Sequence, residues 1–141
     1  MNMIVLCGLP CSGKSTFTAS AEGYEVISQD QLGSRPKCIR RFYELMEAKK
    51  DVIIDRTNIN KAQRKIWIDL AVKHGYDVHC IYFQVDAKTC IARIKKRKGH
   101  PTIPFKMPKL RKEAIVLKFA EDLQEPTMEE GFKSIRYVKT N

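Results

Sequence analysis

An α/β fold with a central, mostly parallel sheet flanked by helices is what three observations on this 141-residue chain predict. Short apolar runs alternate with stretches of helical periodicity, the pattern of strand–helix–strand units. The first apolar run leads directly into a glycine-rich loop of the form GxxxxGK(S/T), and a helical segment follows it. The run DVIID at 51–55 is continuously apolar between two aspartates, as a strand buried on both faces is. No repeat, low-complexity tract or Ser/Gly linker divides the chain, and 43% of its residues are apolar. One domain over residues 1–141 is therefore expected.

The elements follow in order. Residues 3–7 form the first strand, and the loop 8–13 hands over to a helix starting near Lys14. A second short strand, residues 25–28, ends at Gln29-Asp30. Pro36 suits a first helical position, where its missing N–H is no loss. Cys38, Phe42, Leu45, Met46 and Lys49 follow at helical spacing. After the strand 51–55, Asn58 or Asn60 caps a helix whose inner face is expected to carry Ala62, Ile66 and Leu70, and Gly75 ends it. Residues 78–85 form the fourth strand, and Asp86 caps a helix running to about residue 98. The proline-spaced stretch 100–108 reads as a loop. A helix covers about 108–123, and residues 134–138 make a last strand at a sheet edge.

Composition narrows the function classes. No apolar run approaches the roughly 18 residues that cross a bilayer, and the N-terminus lacks the pattern of a secretory signal. An intracellular setting, cytoplasm or nucleus, is expected. The five cysteines are odd in number and contain no CxxC pair or Cys/His spacing suited to zinc. Cys7 and Cys80 lie inside apolar runs and read as reduced, packed thiols, and the three histidines show no ligand spacing. Net charge is +10 and uneven: residues 93–112 hold nine of the 26 Lys/Arg and no Asp or Glu, leaving 17 basic against 16 acidic residues elsewhere. Such a segment suits a polyanion, whose phosphates release counterions on contact with Lys and Arg. It suits equally a solvated basic face that favours solubility.

Gly8-Leu9-Pro10-Cys11-Ser12-Gly13-Lys14-Ser15, followed by Thr16, is a complete phosphate-binding loop (P-loop). Glycines let backbone N–H groups curl around phosphates, and the helix N-terminus adds positive potential. Lys14 is expected to reach the β- and γ-phosphates of ATP and the Ser15 hydroxyl to ligate Mg²⁺. Asp30 lies past the second strand, at the sheet edge where ligands bind in open α/β folds. It is either a base for an attacking hydroxyl or a turn and helix-capping aspartate. Asp55 is placed to hold a Mg²⁺-bound water. Thr57 or Asn58 can bond the acceptor or the nucleotide, with helix capping as the plainer role for Asn58. Arg93 and Arg97, four apart on one helix face, can offset charge on a transferring phosphoryl group. Residues of about 93–108 then form a basic lid that excludes water.

The segments GLPCSGKST, SQDQLGS, VIIDRTN, ARIKKRKGHPTIP and EPTMEEGF together resemble the polynucleotide 5′-hydroxyl kinase family. The chain resembles the kinase half of the eukaryotic polynucleotide kinase-phosphatases and, more distantly, the phage enzyme, from Ile4 to about Ile135. The resemblance implies a P-loop kinase in which Lys14 and Ser15 hold ATP and Mg²⁺, and Asp30 is the general base for a 5′-hydroxyl. Arg97 is implied as the lid arginine that contacts ATP, with Arg93 its neighbour, while Asp55, Thr57 and Asn58 match the motif after the strand beside the P-loop. Two departures stand out. Ser28-Gln29 replaces the family's usual Asn-Arg before the aspartate. Gly33 stands where the phage enzyme has an arginine that grips the acceptor's phosphate; Lys37, Arg40 or Arg41 is a substitute by proximity. Asp86-Ala87-Lys88-Thr89 lacks the second aspartate of a DxDxT phosphatase, so a stand-alone kinase, or the kinase piece of an assembly of separate chains, is expected.

The expected activity is thus transfer of the γ-phosphate of ATP to the 5′-hydroxyl end of DNA or RNA. A kinase of small-molecule or nucleoside hydroxyls is the rival enzyme. An ATP-binding regulator or nucleic-acid-binding module that kept the P-loop without turnover is the rival non-enzyme, although pure binding does not need a base.

Overall fold

A computed structural model describes residues 1–96 and 109–139 of the chain. Five strands, β1 (Asn2–Gly8), β2 (Tyr24–Ser28), β3 (Asp51–Asp55), β4 (Asp77–Gln84) and β5 (Ser134–Lys139), form one sheet in the order β2-β3-β1-β4-β5. Every pairing is parallel, which meets the expectation of a mostly parallel sheet. β1 is central, with Val5 in register with Ile54 on one side and Cys80 on the other. The carboxyl ends of β1, β2 and β3 therefore rise together at one edge. The last strand lies at the opposite sheet edge from β2, as its half-exposed pattern required.

The helices are α1 (Lys14–Ser20), α2 (Gln29–Leu32), α3 (Arg35–Glu47), α4 (Lys61–Lys73), α5 (Ala87–Lys96) and α6 (Lys109–Asp122). Alternation along the strands sends Met3, Val5, Cys7, Val52 and Ile54 to a face covered by Cys38, Phe42 and Leu45 of α3 and by Trp67, Ile68 and Ala71 of α4. Leu6, Ile53, Ile81 and Phe83 point to the other face, under Phe17 of α1. Leu9 and Cys11 of the loop pack with Cys90 and Ile94 of α5 and Val116 of α6 in a third cluster. That cluster fastens the α5–α6 pair over the carboxyl edge of the sheet.

Local chemistry sets the helix starts. Ser34 Oγ accepts the Lys37 N–H at 3.4 Å, Asn60 Oδ1 the Gln63 N–H at 2.8 Å, and Asp86 Oδ1 the Thr89 N–H at 2.7 Å. The Thr89 bonds hold the Asp86 carboxyl below its ordinary range. Pro36 is the second residue of α3, with Ser34 as cap and Arg35 ahead of it. α3 stops at Glu47, and Lys49 takes a left-handed turn (φ 57°) rather than continuing the helix.

Two readings are corrected. The inner face of α4 is Arg64, Trp67, Ile68 and Ala71; Ala62 is exposed, and Ile66 and Leu70 are only half-buried. The helix is rotated because Arg64 is fully buried yet paired, its Nε 2.7 Å from Glu130 Oε1 and its Nη1 2.8 Å from the Asn58 carbonyl. A paired and hydrogen-bonded charge can occupy a core position that an unpaired one cannot. The segment after β2, read only as a strand end, is the one-turn helix α2, closed by Gly33 at φ 92°.

Candidate functional site

The loop between β1 and α1 is shaped by close approach and by two left-handed residues. A Cβ on Gly8 would lie 2.6 Å from Ser12 Oγ and 3.1 Å from the Phe83 Cβ, so only glycine fits. Cys11 (φ 64°) and Gly13 (φ 108°) turn the chain so that α1 starts at Lys14. From outside the loop, the Thr57 carbonyl accepts the Gly8 N–H at 3.0 Å, and Arg93 Nη1 donates to the Cys11 carbonyl at 2.9 Å. The loop after β3 and the helix α5 thus both hold the phosphate-binding loop in place.

Lys14 is 8% exposed, and its ammonium donates to the Gly8 and Leu9 carbonyls at 2.7 Å each and to Ser12 Oγ at 3.2 Å. Burial pushes this amine down to about 8, against the opposing pull of Asp55. The Asp55 carboxyl is itself raised by burial, lowered by Lys14, and raised again by the charge of Asp30. These three groups sense one another across a single cleft of about 280 Å³. Pro10, Cys11, Gly13, Lys14, Ser15 and Thr16 form one wall. Gln29, Asp30, Asp55, Arg56 and Thr57, from the ends of β2 and β3, form the wall opposite, and Gln63 and Phe119 close it.

The structure therefore brings together most of the residues singled out in the sequence. Asp30 lies in the first turn of α2 and is not the cap of that helix, a place held by Ser28. Gly8 and Ser12 sit beneath the loop rather than on the cleft wall. Arg93 reaches the loop from behind, through the Cys11 carbonyl. Asn58 is not on the wall either: it is 1% exposed, at φ 47°, with Nδ2 donating to the Leu6 carbonyl at 2.7 Å. Nor does it cap α4, which Asn60 does. Arg97 and the lid beyond residue 96 lie outside the described residues.

Sequence reading missed Gln29, Arg56, Gln63 and Phe119. Two of them carry enclosed polar atoms without a hydrogen-bond partner, Gln29 Oε1 and Arg56 Nη1. Position in the motif was the only signal for Arg56, since a strand-end arginine ordinarily points to solvent. Phe119 carried no signal beyond helical spacing.

A phosphate ligand fits this arrangement: the loop is cradle-shaped only because Gly8 lacks a Cβ, and a buried ammonium stands over it. Among the described residues no group of three or more His, Cys, Asp or Glu could hold a metal ion unaided. Ser15 and Asp55 are the oxygen donors facing the cleft that suit Mg²⁺, a hard ion that takes much of its shell from phosphate and water.

Comparison with known proteins agrees with the fold and the loop. A bifunctional polynucleotide phosphatase/kinase of Schizosaccharomyces pombe is 34% identical over 139 residues, covering 96% of this chain and 33% of its own length. An Arabidopsis thaliana protein named transcription factor bHLH140 is 29% identical over 145 residues, covering 96% of this chain and 16% of its own. The chain thus spans a third or less of these curated relatives. Kti12 of Chaetomium thermophilum, solved in complex with ADP-AlF3, superposes with a TM-score of 0.69 at 18% identity, covering 99% of this chain and 89% of that one, a likeness of fold. The resemblance to polynucleotide kinases read from the motifs is found again in the fission-yeast relative. The family described as AAA domain matches residues 3–121, which takes in the loop, both strand-end carboxylates and nearly all of α6, and the chain belongs to that family.

Proposed function

We propose that the protein is an ATP-dependent kinase that transfers the γ-phosphate to the 5′-hydroxyl end of a nucleic acid, DNA or RNA, as in end repair. The observation that carries this reading is the cleft itself, where Lys14 and Ser15 of the loop face Asp30 and Asp55 across about 280 Å³. A phosphate-binding wall opposite a carboxylate at a strand end is what an in-line transfer to an alcohol requires. The polynucleotide phosphatase/kinase relative supports a nucleic acid as acceptor, and the basic surplus of residues 93–112 supports a polyanion.

In this mechanism the loop N–H groups and Lys14 bind the phosphates of ATP. Asp30 accepts the proton of the terminal hydroxyl as that oxygen forms its bond to the γ-phosphorus. The bond from the γ-phosphorus to the bridging oxygen breaks on the far side, and ADP leaves with that electron pair. Arg97, from the lid, offsets charge on the transferring group, while Arg93 steadies the loop from behind through the Cys11 carbonyl. Ser15 and Asp55 would hold Mg²⁺, which would supply charge neutralisation for the transferring phosphate. Thr57, and Asn58 behind it, keep the strand end in register with the loop and so position the acceptor wall. All five cysteines are buried free thiols, which suits a reducing setting such as cytoplasm or nucleus.

Transfer of γ-³²P from ATP to 5′-hydroxyl DNA and RNA oligonucleotides, with Asp30→Ala as control, tests the reading. Labelled oligonucleotide that vanishes with Asp30→Ala is the expected result. Label on free nucleosides or sugars with none on oligonucleotides would replace it by the small-hydroxyl kinase.

A further inference from the structure

The loop wall carries one group that phosphate chemistry does not use. Of the five cysteines only Cys11 lines the cleft, in the turn between Gly8 and Gly13. Its backbone is left-handed, at φ 64°, where glycine sits without strain and a residue with a side chain does not. The side chain packs in the apolar cluster that also holds Leu9, Cys90 and Ile94 of α5, and Val116 of α6. Cys90 and Arg93, three residues apart, share the face of α5 that meets the loop, and Arg93 Nη1 donates to the Cys11 carbonyl at 2.9 Å. A second thiol therefore faces the first across the contact between loop and helix. The Lys14 ammonium is close enough to feel the charge of both, and each thiol lies within reach of the other's charge. Cys7, Cys38 and Cys80 belong instead to the core beneath α3 and α4.

The two thiols differ in access. Cys11 is 7% exposed and borders the cleft, whereas Cys90 is fully buried. Burial pushes the Cys90 thiol up to about 11, with Lys14 pulling it down and Cys11 raising it, so it stays protonated near neutrality and is inert alone. We propose that Cys11 and Cys90 are an oxidisable pair: a peroxide entering the cleft oxidises Cys11, Cys90 resolves it as a disulfide, and the bridge weakens ATP binding. For its effect on transfer this rests on the kinase reading above, to which it adds a regulation. The Cys11 sulfur attacks one peroxide oxygen, the O–O bond breaks, and the leaving hydroxide takes up the proton that the thiol gave. The Cys90 sulfur then attacks the sulfenic sulfur; the S–S bond forms, the S–O bond breaks, and the hydroxyl leaves as water with the Cys90 proton. Two thiols lose two electrons and two protons, and one hydrogen peroxide becomes two waters. A disulfide holds its Cα atoms about 4.4–6.8 Å apart with a fixed torsion. A loop pinned to α5 trades the turn at Cys11 for the geometry of the bridge, and its N–H groups lose their aim at a phosphate. Reduction by a thiol reverses the change, as for the transient, redox-sensing disulfides found inside cells.

The experiment treats the reduced full chain with hydrogen peroxide, blocks the remaining thiols with an alkylating agent, and maps the peptides with and without dithiothreitol. A Cys11–Cys90 cross-linked peptide that dithiothreitol splits is the expected result. Titration calorimetry should then show ATP binding about tenfold weaker in the bridged chain, within the usual range of coupling between two sites, with recovery on reduction. Cys90→Ala should bind ATP as wild type does before oxidation, and peroxide should leave its Cys11 as a sulfenic acid trapped by dimedone, with no bridge. No bridge in wild type, a bridge between other cysteines, or a Cys11–Cys90 bridge that leaves ATP affinity unchanged would each overturn the inference. A bridge that weakens ATP binding in a chain whose reduced form phosphorylates no 5′-hydroxyl end would uphold the inference and sink the kinase reading instead. If Cys90→Ala does not fold, the wild-type peptide map and titration decide the matter alone.

Discussion

On the loop wall of the cleft the groups that shape the loop are engaged by the protein: the Lys14 ammonium has three protein acceptors, Gly8 N–H has the Thr57 carbonyl, and the Cys11 carbonyl has Arg93. On the strand-end wall, Gln29 Oε1 and Arg56 Nη1 are enclosed without partners. One wall is organised by the chain alone, through glycine, left-handed turns and carbonyls that take up the ammonium. The other is completed by whatever binds. A site that transfers a common donor group to a chosen acceptor benefits from that asymmetry, because specificity then resides in groups that only the right acceptor satisfies.

The largest expected effect tests whether the two walls act separately. Lys14→Met and Asp30→Asn should each lower transfer by about 10³-fold, through phosphate binding in the first case and proton removal in the second. They should differ in calorimetric titration with ATP: Lys14→Met loses most of its affinity, whereas Asp30→Asn keeps it within a few-fold. Loss of ATP affinity in Asp30→Asn would merge the two walls into one.

The next effect contrasts two arginines of the same segment. Arg64 is fully buried behind the strand-end wall, bound twice to Glu130 and once to the Asn58 carbonyl. Removing it strands Glu130, whose side chain is 9% exposed, and Arg64→Ala should destabilise the fold by about 3–5 kcal/mol. Arg56→Gln removes a donor that has no partner and should change stability by less than about 1 kcal/mol. Urea unfolding of both variants measures the contrast, and equal losses would mean that Arg56 is structural.

How much of this was visible in the sequence follows from the same contrast. The loop was legible because phosphate chemistry fixes its spacing, Asp55 because it closes an apolar strand, and Asp30 because it follows one closely. The inner face of α4 was not legible, since hydrophobic periodicity cannot anticipate a buried arginine whose partner lies beyond residue 125. The EPTMEEGF tail was recognisable only as a resemblance. Its physical use emerges in three dimensions, where Glu130 accepts the Thr127 N–H at 2.8 Å, closes the 3₁₀ turn Met128–Glu130 and pairs with Arg64. Asn58 and Asn60 were interchangeable as helix caps on paper. The left-handed turn at Asn58 separates them, burying one and leaving the other at the helix start. Arg56 lay in plain view, but its role depends on which atom is enclosed, and spacing does not report that.

The smallest effect is a pH dependence that the loop wall alone should produce. Burial holds the Lys14 amine at about 8, below its ordinary 10.5. Below pH 8 the amine is charged in both folded and unfolded chains, and the burial penalty is present in full. Between pH 8 and 10.5 the unfolded chain binds more protons, so this residue's contribution to stability rises with pH. Buried thiols act in the opposite sense: Cys7 and Cys90 are pushed up to about 11, stay protonated in the folded state, and favour unfolding as pH passes 9. The raw stability curve mixes the two, but the difference between wild type and Lys14→Met isolates the amine. That difference should move in favour of wild type by on the order of 1–3 kcal/mol between pH 8 and 10.5, measured as urea midpoints. ATP should flatten it, because phosphates beside the ammonium keep it charged across the same range. Parallel curves for the two proteins without ATP would mean that the amine is solvated, and the loop wall would then be as incomplete without its ligand as the wall that faces it.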